Sequence, residues 1–258
     1  MILWCITLIQ VTLIQIDNFG PYTETLGNNR EHKIQILLSE IFIELQKLFS
    51  EKNGIVFSTS MDNLIAISNG FTIEDHQEIL NAIETKFPVT VSMGIGAGET
   101  PLKAEADASK ALRLKGSAQS DRKKVLGYNG HSFPISGEIL VAHVDINFYT
   151  RIATDINAQY ENFLNLNKTY LTLMEDFKKY GALCFFNGGD NFISICPNSI
   201  TTEDFQKIIS SYEERHAPWK LKIGLGKAQN ILDALSRANK GLHKIRTGNN
   251  IEKIVFLE

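Results

Sequence analysis

The feature that most constrains this chain is that it says the same thing twice. Asp17, at the end of Leu13-Ile14-Gln15-Ile16-Asp17, is answered 128 positions later by Asp145, at the end of Val141-Ala142-His143-Val144-Asp145. Asp62-Asn63 is answered by Asp190-Asn191 at the same offset, so each half keeps 45 residues between its two acids. Gly94-Ile95-Gly96 matches Gly224-Leu225-Gly226, and Lys110 with Leu112 matches Lys240 with Leu242, at an offset of 130. Landmarks repeated in order argue for internal duplication, and a duplicated chain of 258 residues has room for two ordinary domains.

Within the second half, an apolar run reaches Gly188-Gly189, turns through Asp190-Asn191 and resumes as an alternating run from Phe192. Adjacent glycines and Asp/Asn accept the positive φ of tight turns, so this reads as a β-hairpin with a carboxylate at its tip. The segment 140–147 reads as a strand ending in Asp145. A helix between two strands makes them parallel through a right-handed crossover, which sets Asp145 and Asp190 together at one sheet edge. Close carboxylates repel unless a proton or cation separates them, and hard oxygen donors suit Mg²⁺.

Apolar residues at three- and four-residue spacing predict helices. In the first half Ile34, Leu37, Leu38, Ile41, Phe42, Leu45 and Leu48 share a face. In the second, Tyr160, Phe163, Leu164, Tyr170, Leu171, Met174 and Phe177 do. Further helices are expected over 73–86, capped by Thr72, over 202–215, over 231–246, and from Pro101, which suits a first helical turn. Strands are expected at 11–16, 54–58, after Asn63, at 89–96, 219–226 and 253–257. Gly20-Pro21 predicts that 18–23 is a loop. Residues 116–137, rich in Gly, Ser, Asp and Lys, read as a linker between domains at 11–125 and 136–258. Each half is thus a βαββαβ α+β unit with helices covering one sheet face. The first ten residues, where Thr7-Leu8-Ile9-Gln10 nearly repeats Thr12-Leu13-Ile14-Gln15, read as an extension.

A net charge of −3 gives no electrostatic footprint for nucleic acid or an anionic membrane surface. The apolar run at the start is ended by Asp17 too soon for a membrane span, and it lacks the basic flank of a signal peptide. Cys5, Cys184 and Cys196 form no C-x-x-C pair. A reducing cytoplasm and buried thiols are therefore expected, and a zinc–thiolate site is not.

With Ile16-Asp17-Asn18-Phe19-Gly20-Pro21, Asp62-Asn63-Leu64-Ile65-Ala66-Ile67, Gly116-Ser117-Ala118-Gln119, Ala142-His143-Val144-Asp145-Ile146-Asn147, Gly188-Gly189-Asp190-Asn191-Phe192 and Lys244-Ile245-Arg246, the chain resembles the palm-type nucleotidyl cyclase superfamily. Within it, the closer resemblance is to the archaeal GTP cyclohydrolase III family, which carries two such domains in tandem. The resemblance covers nearly everything from Val11 on. It implies a ferredoxin-like, palm (nucleotidyl cyclase-like) fold. It also implies Mg²⁺-dependent conversion of GTP to a formylamino-pyrimidine ribonucleotide monophosphate with release of two phosphates, aided by a monovalent cation such as K⁺, in a homo-oligomer.

Asp145 and Asp190 are then the expected acids for two Mg²⁺ ions that clamp the triphosphate and activate water. Asp17 and Asp62 are the equivalent catalytic and metal-binding pair in the first half, where Ser60-Met61 replaces the glycine pair. The residues do not choose between the halves. Asn18, Phe19 and Gly20, and Asn147 and Phe148, follow the acids and are expected to cradle phosphate with Gly188, Gly189 and Asn191. Asp155 is a candidate guanine reader. His143 lies on the strand face of Asp145 and is a candidate proton relay, though a structural histidine is the commoner outcome. Lys240 and Arg246, on the last helix, are candidates for phosphate contacts. The rivals are a nucleotidyl or diguanylate cyclase, weakened by Asn191 where those enzymes carry an acid, and an inactive guanine-nucleotide sensor.

Overall fold

Ten strands form two five-stranded sheets of identical topology in a computed structural model that describes residues 7–119, 122–248 and 252–257. The chain divides into two compact units. One runs to Gly137 and includes Asn230–Leu232; the other takes Glu138–Gln229 and the chain from Asp233 on.

The first unit runs β1 (Ile9–Ile16), α1 (Phe19–Glu24), α2 (Glu31–Ser50), β2 (Ile55–Ser58), β3 (Asn63–Ile67), α3 (Ile73–Lys86), β4 (Val91–Gly98), α4 (Pro101–Arg113) and β5 (Leu126–Tyr128). Its sheet order is β2-β3-β1-β4-β5, antiparallel except for the parallel β4–β5 pair. The second unit runs β6 (Ile139–Ile146), a π-helical turn (Thr150–Thr154), α5 (Gln159–Lys178), β7 (Leu183–Gly188), β8 (Asn191–Cys196), α6 (Thr202–Arg215), β9 (Leu221–Ala228), α7 (Ile231–Thr247) and β10 (Ile254–Leu257). Its sheet, β7-β8-β6-β9-β10, repeats the order and the single parallel pair. α3 and α6 begin where their capping threonines stand: Thr72 and Thr201 each accept from the third helical N–H, and Asp75 and Asp204 bond back to the cap.

Several expectations need correction. The stretch 116–137 is not a bare linker, because it supplies β5 to the first sheet. The segment after Asp17 is a short helix rather than a loop: Pro21 falls in the first turn, where a missing N–H costs nothing. The supposed extension contributes to the sheet. Gln10 is fully buried on β1, donating to the Phe71 carbonyl and accepting from the Ile135 N–H. Met1 to Ile6, with Cys5 among them, lie outside the described residues.

The helices also cover both sheet faces, not one. In the first unit, α2 and α3 pack with Ile14, Leu64, Val91 and Met93 in one core. α4 lies against the opposite face of β4. The contact is so close that a Cβ on Gly96 would stand 2.2 Å from the Ala104 carbonyl oxygen, and one on Gly226 would stand 2.2 Å from that of Ala234 in α7. The matched Gly-x-Gly pairs are therefore seats for a helix backbone. Finally, the face assigned to the core on α5 is mostly wet. Leu173 and Phe177 are buried, whereas Tyr160, Phe163, Leu164, Leu171 and Met174 are exposed. A helix with two apolar stripes can bury only one of them against its own sheet.

Cys184 and Cys196 are buried, as expected. Burial pushes both thiols up, that of Cys196 to about 12.

Candidate active site

The acids sit where β6 ends and the β7–β8 hairpin turns. Gly188 and Gly189 have φ of 98° and 61°, and the turn brings the Asp190 carbonyl to the Ile146 N–H at 3.4 Å. In the first unit the Asp62 carbonyl meets the Ile16 N–H at 3.0 Å, with Met61 taking the positive φ, 66°.

These hydrogen bonds fix which residues correspond. Ile16 answers to Ile146, and the Asp17 N–H donates to the Thr90 carbonyl as the Asn147 N–H donates to that of Lys220. Gln15 pairs across the sheet with Asn63 and Ser92, whereas Asp145 pairs with Asn191 and Lys222. The structural counterpart of Asp145 is thus Gln15, and that of Asp17 is Asn147. The common spacing of 45 arises because Asp17 stands two residues further along its strand. A two-residue step returns to the same sheet face, which is why the sequence pattern disguises it.

Asp145 is buried at 2% exposure. One carboxylate oxygen lies 3.0 Å from Lys222 Nζ, itself a nearly buried lysine on β9, and the other accepts from the Arg246 guanidinium in the last turn of α7. Lys222 also reaches the Asn147 side-chain oxygen at 3.2 Å. Asp190 is half-buried, and its carboxylate accepts from the Asn191 amide at 3.2 Å. Burial, and then the Asp145 charge, holds the Asp190 carboxyl above the ordinary range, against the opposing pull of Arg246 and Lys222. Nearby, burial and the Asp190 charge push the Tyr149 phenol up. His143 is bracketed by Asn239 at 2.5 Å and Asn191 at 2.9 Å, so both ring nitrogens already have partners. Asn191 therefore ties the hairpin to His143. Phe148, with φ of 58°, projects into solvent, as does Asp155 behind the π-helical turn. Lys240 is exposed on α7.

Asp17 is wired differently. Its carboxylate accepts from Thr90 Oγ1 at 2.8 Å, Ser92 Oγ at 2.6 Å and the Lys124 N–H at 2.8 Å, and it lies 3.6 Å from Nε of Arg122. Arg122 is only 2% exposed, and its guanidinium also donates to Gln15. An arginine thus meets Gln15 in one unit as Arg246 meets Asp145 in the other. The Asn18 N–H donates to the Ala118 carbonyl at 2.7 Å, Phe19 packs on the core, and Gly20 has open space beside it. Asp62 is partly exposed and accepts from Ser60 at 2.9 Å.

Lys222, Arg122 and Lys124 were not among the expected residues. Lys222 leaves a trace in the sequence, as a charge set between apolar residues in Leu221-Lys222-Ile223. Arg122 and Lys124 lie in a loop-like stretch and leave none.

Chemically, the second unit offers two neighbouring carboxylates, one of them raised by burial and then by the charge of the other, with exposed backbone at a glycine turn. That donor set suits a hard divalent cation. In the first unit the corresponding amide, Gln15, brings no charge. Among the described residues there is no group of three or more His, Cys, Asp or Glu placed to hold a metal, and no helix is long and apolar enough to cross a membrane.

Residues 11–258 match the family model for GTP cyclohydrolase III. Two proteins of that name are among the most similar relatives. That of Methanothermobacter thermautotrophicus is 42% identical over 242 residues, which is 93% of this chain and 96% of the relative. That of Methanocaldococcus jannaschii is 41% identical over 248 residues, 96% of this chain and 91% of the relative. Among solved structures, the active GGEEF domain of a diguanylate cyclase from Vibrio cholerae is similar to 47% of this chain, covering 83% of that domain at 17% identity with a TM-score of 0.38. A bacterial light-regulated adenylyl cyclase is similar to 46% of this chain, covering 74% of that chain at 16% identity with a TM-score of 0.40.

Proposed function

The chain belongs to the GTP cyclohydrolase III family, and on that premise we propose that it is a cytoplasmic GTP cyclohydrolase whose working acids are Asp145 and Asp190. The substrate is GTP. The reaction adds water to the guanine imidazole ring, opens it with the formyl group retained, and releases two phosphates to leave the ribonucleotide monophosphate.

The observation that carries this assignment is the hairpin tip that sets Asp190 against the end of β6 beside buried Asp145, an arrangement that Gln15 denies to the first unit. Asp145 and Asp190 would hold Mg²⁺, with K⁺ as an auxiliary cation. When bound, Mg²⁺ supplies charge neutralisation for a triphosphate and lowers the pKa of a coordinated water. Arg246 exchanges Asp145 for phosphate oxygen as the nucleotide arrives, since it stands on an exposed helix end and a guanidinium suits either anion. Lys222 stays behind to fix the Asp145 rotamer. Gly188 and Gly189 leave the hairpin backbone open to phosphate, and Asn191, braced by His143, holds the turn. Asn147 and Phe148 lie on the approach, with Asp155 as the candidate reader of guanine N–H donors. In the first unit, Asp17 and Asp62 serve the fold.

The test is incubation with GTP, Mg²⁺ and K⁺, followed by mass spectrometry and phosphate assay. A monophosphate with water added to its base, together with free phosphate, is expected. Asp190→Asn should lower kcat by about 100-fold or more, as loss of a group acting on developing charge does. A cyclic or dinucleotide product, or an Asp190→Asn enzyme as fast as the parent, would overturn the assignment.

A further inference from the structure

α2 and α5 occupy corresponding places, and both carry a second apolar stripe that their own sheets leave uncovered. Ile36 and Ile43 on α2 are 54% and 52% exposed, and Leu164 and Leu171, 128 positions later on α5, are 37% and 58% exposed. A spacing of seven returns to the same line of a helix, as in a packed helix pair. The charges beside the stripe also correspond, but with every sign reversed. Lys33, Glu40 and Lys47 flank it on α2, whereas Glu161, Lys168 and Glu175 stand at the matching places on α5. All six are exposed, and none forms an ion pair within the described residues.

We propose that α2 of one chain docks on α5 of a second copy, the apolar stripes meeting and the three flanking charges pairing across the contact.

Sign reversal selects this pairing over the alternatives. Laid on α5, the α2 pattern sets Lys33, Glu40 and Lys47 against opposite charges whether the helices run parallel or antiparallel. α2 on a second α2, in the centred antiparallel arrangement, sets Glu40 on Glu40 and Lys33 on Lys47; α5 on α5 repels in the same way. Like charges brought together at a contact suppress the wrong partner, which is the usual source of specificity in helix pairs. Shape agrees with charge. The α2 stripe and its three charges themselves line a groove of about 580 Å³, closed on the other side by Phe87 and Pro88, while α5 offers protruding rings in Tyr160 and Phe163.

The test uses the full chain and sedimentation velocity over a concentration series. One variant reverses α2 (Lys33→Glu, Glu40→Lys, Lys47→Glu), another reverses α5 (Glu161→Lys, Lys168→Glu, Glu175→Lys), and a third carries all six changes. Each single-helix reversal should raise the dissociation constant for the α2–α5 step by about tenfold or more, the scale of repulsion between facing charges. The six-fold variant should return to within about threefold of the parent, and so should an equal mixture of the two single-helix variants. Circular dichroism should be unchanged, because all six side chains are exposed. A parent chain that stays monomeric, a single-helix reversal that leaves the mass distribution unchanged, or failure of both rescues would overturn the proposal.

Discussion

Replacing Asp17 by Asn separates a carboxylate that builds the fold from one that performs chemistry. The carboxylate is held at both oxygens: one accepts from Ser92 and faces the Arg122 charge at 3.6 Å, the other accepts from Thr90 and the Lys124 N–H. The asparagine side chain keeps one acceptor and introduces an NH₂. A backbone N–H cannot turn round, so the remaining oxygen must face Lys124, and the NH₂ is forced toward Ser92 and Arg122. Ser92 can rotate its hydroxyl; Arg122 cannot shed its charge, and at 2% exposure it cannot reach water. Leaving one partner of a buried pair uncompensated costs on the order of 3 kcal/mol. For a unit of this size that corresponds to a Tm lower by roughly 6–12 °C. Asp62→Asn, which keeps an oxygen to accept from exposed Ser60, should cost less than about 1 kcal/mol. Calorimetry of both variants, with GTP turnover measured well below either transition, makes the comparison. An Asp17→Asn chain that melts with the parent yet has lost turnover would refute the structural role.

Three further outcomes follow from the same geometry. The raised carboxyl of Asp190 binds a proton more tightly than an ordinary aspartate, so on the proposed assignment protons would compete with Mg²⁺. Titration calorimetry should find the affinity flat at higher pH and falling, by up to about tenfold per unit, once pH drops below that raised pKa; an affinity that ignores pH across that range would contradict the assignment. His76 is buried between Thr12 and the Thr72 carbonyl, and burial lowers its pKa to about 4. Below its ordinary value the unfolded chain takes up the proton and the folded one does not, so stability is lost as pH falls from about 6.5 toward 4. Urea unfolding should show a loss of about 2 kcal/mol between pH 7 and 5 that His76→Asn largely removes. Gly226→Ala drives a methyl group into the α7 backbone and should destabilise the second unit by about 3 kcal/mol or more by denaturant titration, where an exposed Gly20→Ala should not.

What could be read from the sequence was whatever short-range physics determines. The Thr72 cap, with Asp75 in the first turn, gave the start of α3. The glycine-hairpin tip was legible because few residues accept its φ values, and Asp190 lies beside the end of β6 as the crossover argument required. The misses are tertiary. β5 is three residues long, so its periodicity carries no signal, and only pairing with β4 makes it a strand. The apolar stripes of α5 do not say which of them meets a sheet. The pairing of Asp17 with Asp145 failed because a spacing between two acids counts residues, whereas correspondence is settled by ladder register.

The two-residue offset between Asp17 and Gln15 also measures how far the two units have diverged. Gln15 occupies the same ladder position as Asp145, and an arginine already faces it, as Arg246 faces Asp145. Asp62 stands at the neighbouring turn. A single side-chain change, Gln15→Asp, therefore places a carboxylate at the ladder position that Asp145 holds in the second unit. The duplicated architecture thus sets an amide and a carboxylate at one and the same ladder position of twin sheets, each beside an arginine.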